Sequence, residues 1–356
     1  MWSWHIWVTA IDFSEKNVVL SRPYREFDQW TKPQEQEFEI MPVNLGWCSG
    51  GKPIRYYDRH ECEVRFTQLI SQAGQEGLSM TVKIIQEPHV AIPCGNNPYF
   101  QWGRKDPFIA GGNADKTTKT WYDAGGNMKN SAPSLMYASD SDRKESYKVT
   151  ADLIKNPDKW QNCPRINNNS TTQPYRPQDN IYFNLWDNSN WDGDDKVIKT
   201  IYDPCPAGYN VSSLYEFTGF TEDGKGITGS FSTNSYAVIE ENMMKEPDYK
   251  DGIIEFYTNK TKLISLGFPL NGYRDWDDNA LLHTYGVNGQ IWHSQASPYD
   301  VPVNSADAGF RYNVKHFEFS QGGTTVDGST YSPHIWPCNN YYATDGFPVR
   351  PTKTQP

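Results

Sequence analysis

The sequence has little of several features that mark particular protein classes. It has six cysteines in 356 residues, which are too few for a disulfide-dense scaffold. It has no C-x-x-C pair, so ribbon-type zinc sites are not expected. No apolar run approaches the ~18 residues that a transmembrane helix needs, so no membrane span is predicted. The serine-hydrolase motif G-x-S-x-G and the zinc-protease motif H-E-x-x-H are both missing. We therefore predict no catalytic residue and no enzymatic activity.

Basic charge is also scarce relative to acidic charge. The formal net charge is −10, and no block of like charge runs along the chain. Proteins that bind nucleic acids need a clustered basic face that follows the phosphates. We therefore predict no nucleic-acid partner and no charged tail.

Large rings and turn formers are what the chain has in abundance. It contains 13 Trp, 22 Tyr, 27 Gly and 24 Pro, while hydrophobic residues make up only 37%. Such a composition favours strands, long polar loops and a core built from aromatic side chains. The length allows one large domain or two ordinary ones, and we predict a single domain over residues 1–356.

Alternation of apolar and polar residues predicts most of the strands, at 37–41, 235–239, 252–257, 262–268, 290–294 and 316–319, and a short turn of helix is expected at 213–217. Trp2 to Thr9 alternates from the start, so we expect a strand already under way and a chain that is a portion of something longer. Within residues 48–95, the segments Cys62 to Ile70 and Met80 to Gln86 predict a β-hairpin. A helix is predicted from Asp142, which forms a capping box with Glu145, to Pro157, which ends it.

An Asn- and Asp-rich stretch has part of the spacing of a calcium loop. Oxygen-bearing residues alternate from Asn188 to Asp194, but the twelfth position holds Lys199 instead of the bidentate Glu of an EF-hand. A plain turn before a strand explains the same residues. We predict no catalytic metal and no organic cofactor, and at most a structural Ca²⁺ near three carboxylates: Asp187, Asp192 and Asp194.

Six motifs occur in a recognisable order. The segment Lys199 to Tyr209 reads KTIYDPCPAGY, with two prolines and a glycine that exclude helix and regular strand. The other motifs are WSWHIWVT at 2–9, MPVNLGW at 41–47 with YFQWGRKDPF at 99–108, GFPLNGYR at 267–274 and GFPVR at 346–350. Together they resemble the FISUMP-type domains of secreted and surface proteins of the Bacteroidetes. Those domains are similar to the C-type-lectin-like superfamily, which includes formylglycine-generating enzymes and variable proteins of diversity-generating retroelements.

The resemblance implies a fold, a location and a function. The fold is an α+β, C-type-lectin-like domain with an inserted β-hairpin near residues 48–95. The expected function is adhesion or ligand recognition at an extracellular or outer-membrane surface, at the tip of a fimbrium. The partner is a host or bacterial surface glycan or protein, with pilin subunits as further candidate partners.

Two alternative functions stay open. One is a carbohydrate-active or formylglycine-type enzyme, although the latter uses two late cysteines and only Cys338 lies in the last hundred residues. The other is a structural pilus subunit without a ligand. The resemblance also implies that the cysteine of the D-P-C-P motif, Cys205, has a late partner, for which Cys338 is the nearest candidate.

Two late segments are rich in rings, amides and charges, which recognition surfaces use. Both of them, residues 275–299 and Asn339 to Tyr342, resemble the Asn- and Tyr-rich variable part of the retroelement-diversified proteins. We predict that both converge on one exposed ligand-binding face. Its predicted residues are Arg274, Asp275, Trp276, Asp277, Asn279, Tyr285, His293 and Gln295, together with Asn339, Asn340, Tyr341 and Tyr342.

Overall fold

The structure is a computed structural model, and it describes most but not all of the chain. The described residues are 5–21, 36–48, 54–57, 60–68, 77–86, 89–91, 94–108, 121–122, 127–129, 135–137, 155–156, 159–162, 185–188, 196–221, 224–229, 250–258, 265–275, 280–296, 313–325, 328–342 and 344–355.

Strands account for nearly all the regular structure in these ranges. The strands are β1 (Asn17–Leu20), β2 (Glu37–Ile40), β3 (Ile54–Tyr57), β4 (His60–Thr67), β5 (Ser79–Gln86), β6 (His89–Ala91), β7 (Phe100–Gln101), β8 (Trp121–Tyr122), β9 (Met128–Lys129), β10 (Leu135–Tyr137), β11 (Trp160–Asn162), β12 (Tyr209–Val211), β13 (Ile227–Thr228), β14 (Lys250–Asp251), β15 (Ile253–Tyr257), β16 (Ser265–Pro269), β17 (Tyr273–Arg274), β18 (Leu282–His283), β19 (Asn288–Ala296), β20 (Asn313–Ser320), β21 (Gly323–Thr324), β22 (Thr330–Tyr331), β23 (His334–Tyr342), β24 (Gly346–Phe347) and β25 (Pro351–Lys353). A 3₁₀ turn spans Thr218–Phe220.

The predicted α+β class is therefore wrong, because the described part of the chain is nearly all β, with α-helical conformation only at Lys155. The turn of helix expected around Ser213 to Phe217 is a run of i to i+3 hydrogen bonds that ends at Thr221. This tighter geometry suits a short connector better than an α-helix does. The helix predicted from Asp142 to Pro157 lies largely outside the described residues.

The largest sheet separates two different environments. Its order is β13-β23-β20-β19, and all its pairs are antiparallel. Because side chains alternate across a strand, Phe317 and Phe319 of β20 point to one face and His316 and Glu318 to the other. The phenylalanine face joins a core of buried rings and aliphatic side chains, in which Phe317 stacks on Phe217 with centroids 4.8 Å apart.

A smaller sheet brings the end of the chain to its beginning. Its order is β1-β2-β25-β12, and Ile40 pairs with Thr352. Beside it, β24 pairs with β7 and β17 in the sheet β18-β17-β24-β7. The late strands β24 and β25 thereby pair with strands from the first third of the chain.

One arginine joins three of the motifs on which the resemblance rests. Arg350 has none of its surface exposed, and its guanidinium donates to Asn44 Oδ1 at 2.9 Å, Met41 O at 3.1 Å and Gly267 O at 2.9 Å. The guanidinium carbon also lies 4.2 Å from the centroid of the Phe268 ring. This arginine therefore ties the GFPVR, MPVNLGW and GFPLNGYR segments together inside the core.

A lysine organises the DPCPAGY turn. Lys199 Nζ donates to Asp203 Oδ1 at 3.1 Å and to three backbone oxygens, Cys205 O at 2.6 Å, Pro206 O at 3.1 Å and Tyr209 O at 2.5 Å. The Asp203 carboxylate in turn accepts the N–H of Cys205 at 2.7 Å and that of Val211 at 2.9 Å. The turn is fixed by a cation and an anion that both belong to the chain.

Several strand predictions agree with the structure. Strands occur where alternation predicts them at 37–41, 252–257, 262–268, 290–294 and 316–319, within a few residues at each end. The predicted pairing inside residues 48–95 is confirmed, because β4 and β5 form an antiparallel pair from His60↔Gln86 to Thr67↔Ser79. That this pair is an insertion within one domain of residues 1–356 stays a prediction.

The strand predicted at Trp2 to Thr9 is wrong for its described part, because residues 5–9 have no regular structure. The alternation itself is present. Trp7 is half-buried and donates to Trp47 O at 3.2 Å, while Ile6 and Val8 are exposed. The side chains thus alternate as in a strand, but the backbone joins no described sheet. The strand predicted at Ser235 to Ile239 lies outside the described residues.

Candidate functional site

Two of the predicted binding segments meet through a pair of tyrosines. Tyr341 of β23 donates its hydroxyl hydrogen to Tyr273 Oη at 3.0 Å, across a sequence separation of 68. Their rings pack edge to face with centroids 5.4 Å apart. Tyr273 directly precedes Arg274, so the segment that begins there and the segment that contains Asn339 and Tyr341 lie side by side.

Acidic groups surround the two tyrosines. Burial raises the pKa of both hydroxyls, and the carboxylates of Asp275 and Asp345 raise it further. For Tyr341 the carboxylate of Glu318 adds to the same effect. Both tyrosines therefore stay protonated at neutral pH and keep an O–H group that can donate.

A buried glutamate lies under the neighbouring part of β23. Glu318 Oε1 accepts from His334 Nε2 at 3.2 Å, and Glu318 Oε2 accepts from His316 Nε2 at 3.2 Å and from Asn339 Nδ2 at 2.7 Å. Burial alone would raise the pKa of Glu318, but the hydrogen bonds from both histidines outweigh it and hold that pKa well below its usual range. Burial lowers the pKa of His316. The arrangement is therefore an ionised carboxylate fixed by a neutral His316 and by an amide.

The outer part of this sheet face carries a tryptophan that the sequence does not single out. Trp336 is half-buried, stacks on the His334 ring at a centroid distance of 4.1 Å and donates to Thr228 Oγ1 at 3.2 Å. A register shift in β23 lets Trp336 face Glu318 while Asn339 faces His316. The face would have been found by following alternation backwards from Tyr341 and allowing for one bulge.

These contacts define a continuous surface, which we call the tyrosine face. It runs from Trp336 over Glu318 to the tyrosine pair and the adjacent carboxylate. Its members are Tyr273, Asp275, Glu318, His334, Trp336, Asn339 and Tyr341. Four of them, Asp275, Trp336, Asn339 and Tyr341, are partly exposed, and the other three are buried beneath.

Arg274 is not part of this surface, so its predicted exposed role is wrong. Only 4% of its surface is exposed. Its guanidinium donates to Ala280 O at 2.6 Å and lies 5.2 Å from the centroid of the Tyr99 ring and 5.5 Å from that of Phe108. The arginine packs inside the scaffold because aromatic rings and a carbonyl replace its water.

Three more predicted residues bond to backbone atoms outside the tyrosine face. His293 is fully buried, its Nε2 lies 2.9 Å from Pro337 O, and burial lowers its pKa to about 3. Gln295 Oε1 accepts from Leu214 N at 3.0 Å, and Tyr285 Oη donates to Gly95 O at 3.2 Å. For His293 the predicted exposure is wrong. For Gln295 and Tyr285, which are half-buried, these contacts indicate a role in the scaffold.

The remaining predicted face residues cannot be placed. Trp276, Asp277 and Asn279 lie outside the described residues, as do the side chains of Asn340 and Tyr342, whose backbones belong to β23.

The predicted calcium site is described at only one of its three carboxylates. Asp192 and Asp194 lie outside the described residues. Asp187 is buried and its Oδ1 accepts the N–H of Ile198 at 2.8 Å, as expected for a turn before a bridge. No group of three or more His, Cys, Asp or Glu suited to a metal occurs in the described ranges, and none of their helices is long and apolar enough to cross a membrane. The structural Ca²⁺ stays a prediction.

The predicted bond between Cys205 and Cys338 is wrong, because neither sulfur is part of a disulfide. Cys205 is buried beside the aromatic cluster that includes Trp292 and Phe347, whereas Cys338 donates to Leu214 O at 2.9 Å. The three cysteines at 48, 62 and 94 are free as well, and Cys163 lies outside the described part of the chain.

No family model, curated protein or solved structure matches this chain.

Proposed function

We propose that the chain is a ligand-recognition domain of the adhesin type, and that the tyrosine face is its binding surface. The hydrogen bond between Tyr341 and Tyr273 carries the proposal, because it joins two segments whose composition independently predicts binding. The proposed location, an extracellular or fimbrial surface, rests on the motif resemblance alone.

The chemistry of the face suits recognition better than catalysis. Partly exposed Trp336 and Tyr341 offer rings that give contact area at low entropic cost. Asn339 is held by Glu318 at 2.7 Å, so its amide group is already fixed before a ligand arrives. Fixed rings and amides reduce the entropy lost on binding. Rings that stack on sugars and amides that reach hydroxyls serve a glycan, and the same groups serve a protein loop.

The first experiment identifies the ligand class. The purified chain is applied to a glycan array and to an array of extracellular host and bacterial proteins. A ligand on either array is expected. No ligand on both would contradict the proposal and favour the structural pilus subunit.

The second experiment locates the site with the ligand that the arrays identify. Tyr341→Ala and Trp336→Ala are expected to weaken binding by about 5- to 150-fold, which is the effect of about 1–3 kcal/mol for a central interface ring. Tyr331→Ala is the matched control, because this tyrosine is also partly exposed but makes none of the contacts that define the face. Its affinity is expected to equal that of the unchanged protein.

Tyr341→Phe separates the hydroxyl from the ring. It removes the bond to Tyr273 Oη but keeps the ring that packs against Phe347 at 5.5 Å. A smaller loss than for Tyr341→Ala is expected. If both variants lower the unfolding midpoint while the folded fraction binds normally, the tyrosines belong to the core and the face is misassigned.

A further inference from the structure

Both ring nitrogens of His334 lie beside oxygen atoms that accept hydrogen bonds. Nδ1 lies 2.9 Å from the backbone oxygen of Ser332, and Nε2 lies 3.2 Å from Glu318 Oε1. A neutral imidazole carries a hydrogen on one of its two nitrogens, whereas the imidazolium carries one on each. Only the charged ring therefore donates to both oxygens at once.

Each neutral form of this ring places a lone pair against an acceptor. With the hydrogen on Nδ1, the lone pair of Nε2 faces the Glu318 carboxylate, and with the hydrogen on Nε2, the lone pair of Nδ1 faces Ser332 O. Only 3% of the surface of His334 is exposed, so water has little room to supply the missing donor. A neutral His334 must therefore turn away from one of its two partners.

The charge that faces His334 is the carboxylate of Glu318, on the neighbouring strand β20. The hydrogen bonds from His334 and His316 hold the pKa of Glu318 well below its usual range, so this group stays an anion at neutral pH. His316 is kept neutral by burial, which lowers its pKa, and Lys315 lies on the opposite face of β20. The strand β13 and the 3₁₀ turn, which also contact β23, contribute no titratable side chain.

We propose that His334 is a pH-sensitive latch of the tyrosine face, which holds Trp336 in place when its ring is protonated and releases it when the proton is lost. The two rings are stacked, with centroids 4.1 Å apart and an interplanar angle of 22°. A cation over the face of an indole is attracted by its π electrons. Histidine is the side chain that changes its charge between about pH 5 and 8, so acid closes the latch and rising pH opens it.

The latch reaches two partly exposed members of the tyrosine face. Trp336 is held by the ring of His334 and by Thr228, whose Oγ1 accepts from the indole at 3.2 Å and which pairs with His334 in the sheet. Asn339 donates to Glu318, the same carboxylate that accepts from His334. Opening the latch removes one support of Trp336 and one donor from the carboxylate that fixes Asn339. As a regulator of ligand binding, the latch rests on the function proposed above.

The first test needs no ligand. The chain is labelled with fluorotryptophan, and Trp336→Phe identifies the fluorine resonance of Trp336. This resonance is expected to shift in a single titration between about pH 5 and 8. In His334→Gln it should stay in place, because an amide donates to Glu318 without titrating. His5→Gln is the matched control, since His5 also lies 3.1 Å from a carboxylate, that of Asp106, and its loss should not alter the titration. A resonance that does not shift, or that shifts equally in His334→Gln, would overturn the proposal.

The ring nitrogens of His334 report the latch in the unchanged protein, so this measurement holds even where a variant fails to fold. Their chemical shifts are identified by the through-space contact of the ring with Trp336. At about pH 5 both should have the value of a protonated nitrogen, and at about pH 8 one of them should have that of an unprotonated nitrogen. The same protonation state at both pH values would refute the latch.

Regulation of binding is tested on the glycan and protein arrays, read at about pH 5 and 8. For the unchanged protein, the signals are expected to be at least about fivefold stronger at the lower pH, the smallest usual coupling between two linked sites. For His334→Gln the signals should be equal at the two pH values. Equal signals for the unchanged protein, while the Trp336 resonance titrates, would overturn the regulatory role. The absence of any signal, with a resonance that titrates, would reject the proposed function and still confirm the latch.

Discussion

Replacing Arg350 with methionine is expected to destabilise the protein strongly, although Arg350 is not one of the predicted ligand-binding residues. Methionine keeps most of the apolar stem, so the main change is the loss of the guanidinium. Three acceptors lose their donor: Met41 O, Asn44 Oδ1 and Gly267 O. A buried acceptor left without a partner costs about 1–3 kcal/mol.

The removal of a buried charge offsets part of this loss. Burial lowers the pKa of Arg350 to about 9, which shows that the charged form is disfavoured inside the core. Replacing a buried charge relieves some desolvation, so the net loss is smaller than the summed cost of about 3–9 kcal/mol for three unpaired acceptors. We therefore expect a loss of about 3–5 kcal/mol, against the 5–15 kcal/mol that stabilises a typical domain.

Urea unfolding followed by tryptophan fluorescence measures this change. The midpoint should fall with the slope unchanged if the loss is purely one of native-state stability. Lys353→Met is the matched control, since Lys353 lies close by on β25 and its exposed ammonium pairs with Glu39 of β2 at 2.8 Å. Its midpoint should not move. An Arg350→Met variant as stable as the unchanged protein would refute the idea that this arginine holds the three segments together.

Three further predictions concern other parts of the scaffold. Burial raises the pKa of Glu216 to about 8, so the stability that its protonated form contributes is fully present below the ordinary pKa of a glutamate and is lost as the pH rises through 8. Glu216→Gln should remove this pH dependence, at most about 1.4 kcal/mol per pH unit, from unfolding midpoints measured at pH 5, 6.5 and 8. Gly346→Ala would place its Cβ 2.3 Å from Trp160 Cη2, and overpacking of this kind should cost about 1–3 kcal/mol in the same unfolding assay. Lys199→Met removes four hydrogen bonds from the 203–209 turn and should expose it to limited proteolysis, whereas Lys225→Met should leave the cleavage pattern unchanged.

The alternation of apolar and polar residues predicted the positions of several strands and one strand pairing, because these depend on neighbouring residues alone. The register of β4 and β5 follows from two apolar rows separated by a turn, and the strand at 253–257 follows from the same period of two. The strand predicted at Trp2 to Thr9 fails for another reason. Alternating side chains require only an extended chain, whereas a strand also requires a neighbour with free backbone groups.

The candidate site was harder to predict, because burial is a property of the whole fold. Arg274 looks like a surface residue in the sequence, but rings at Tyr99 and Phe108 surround it. Glu318 looks like any strand carboxylate, and only the pairing of β20 with β23 brings it to Asn339 and His334. The convergence of Tyr273 with Tyr341 depends in the same way on contacts between residues far apart in the chain.

The four hydrogen bonds of Lys199 determine how the DPCPAGY turn responds to its surroundings. Many irregular loops are held by an ion that exchanges with the medium, so their shape follows the supply of that ion. Here the cation is tethered by a side chain, and it can be neither diluted away nor removed by a chelator. The shape of the turn depends instead on whether this lysine is covalently modified. Acetylation of the Lys199 amine would abolish its charge and disrupt all four contacts in a single event.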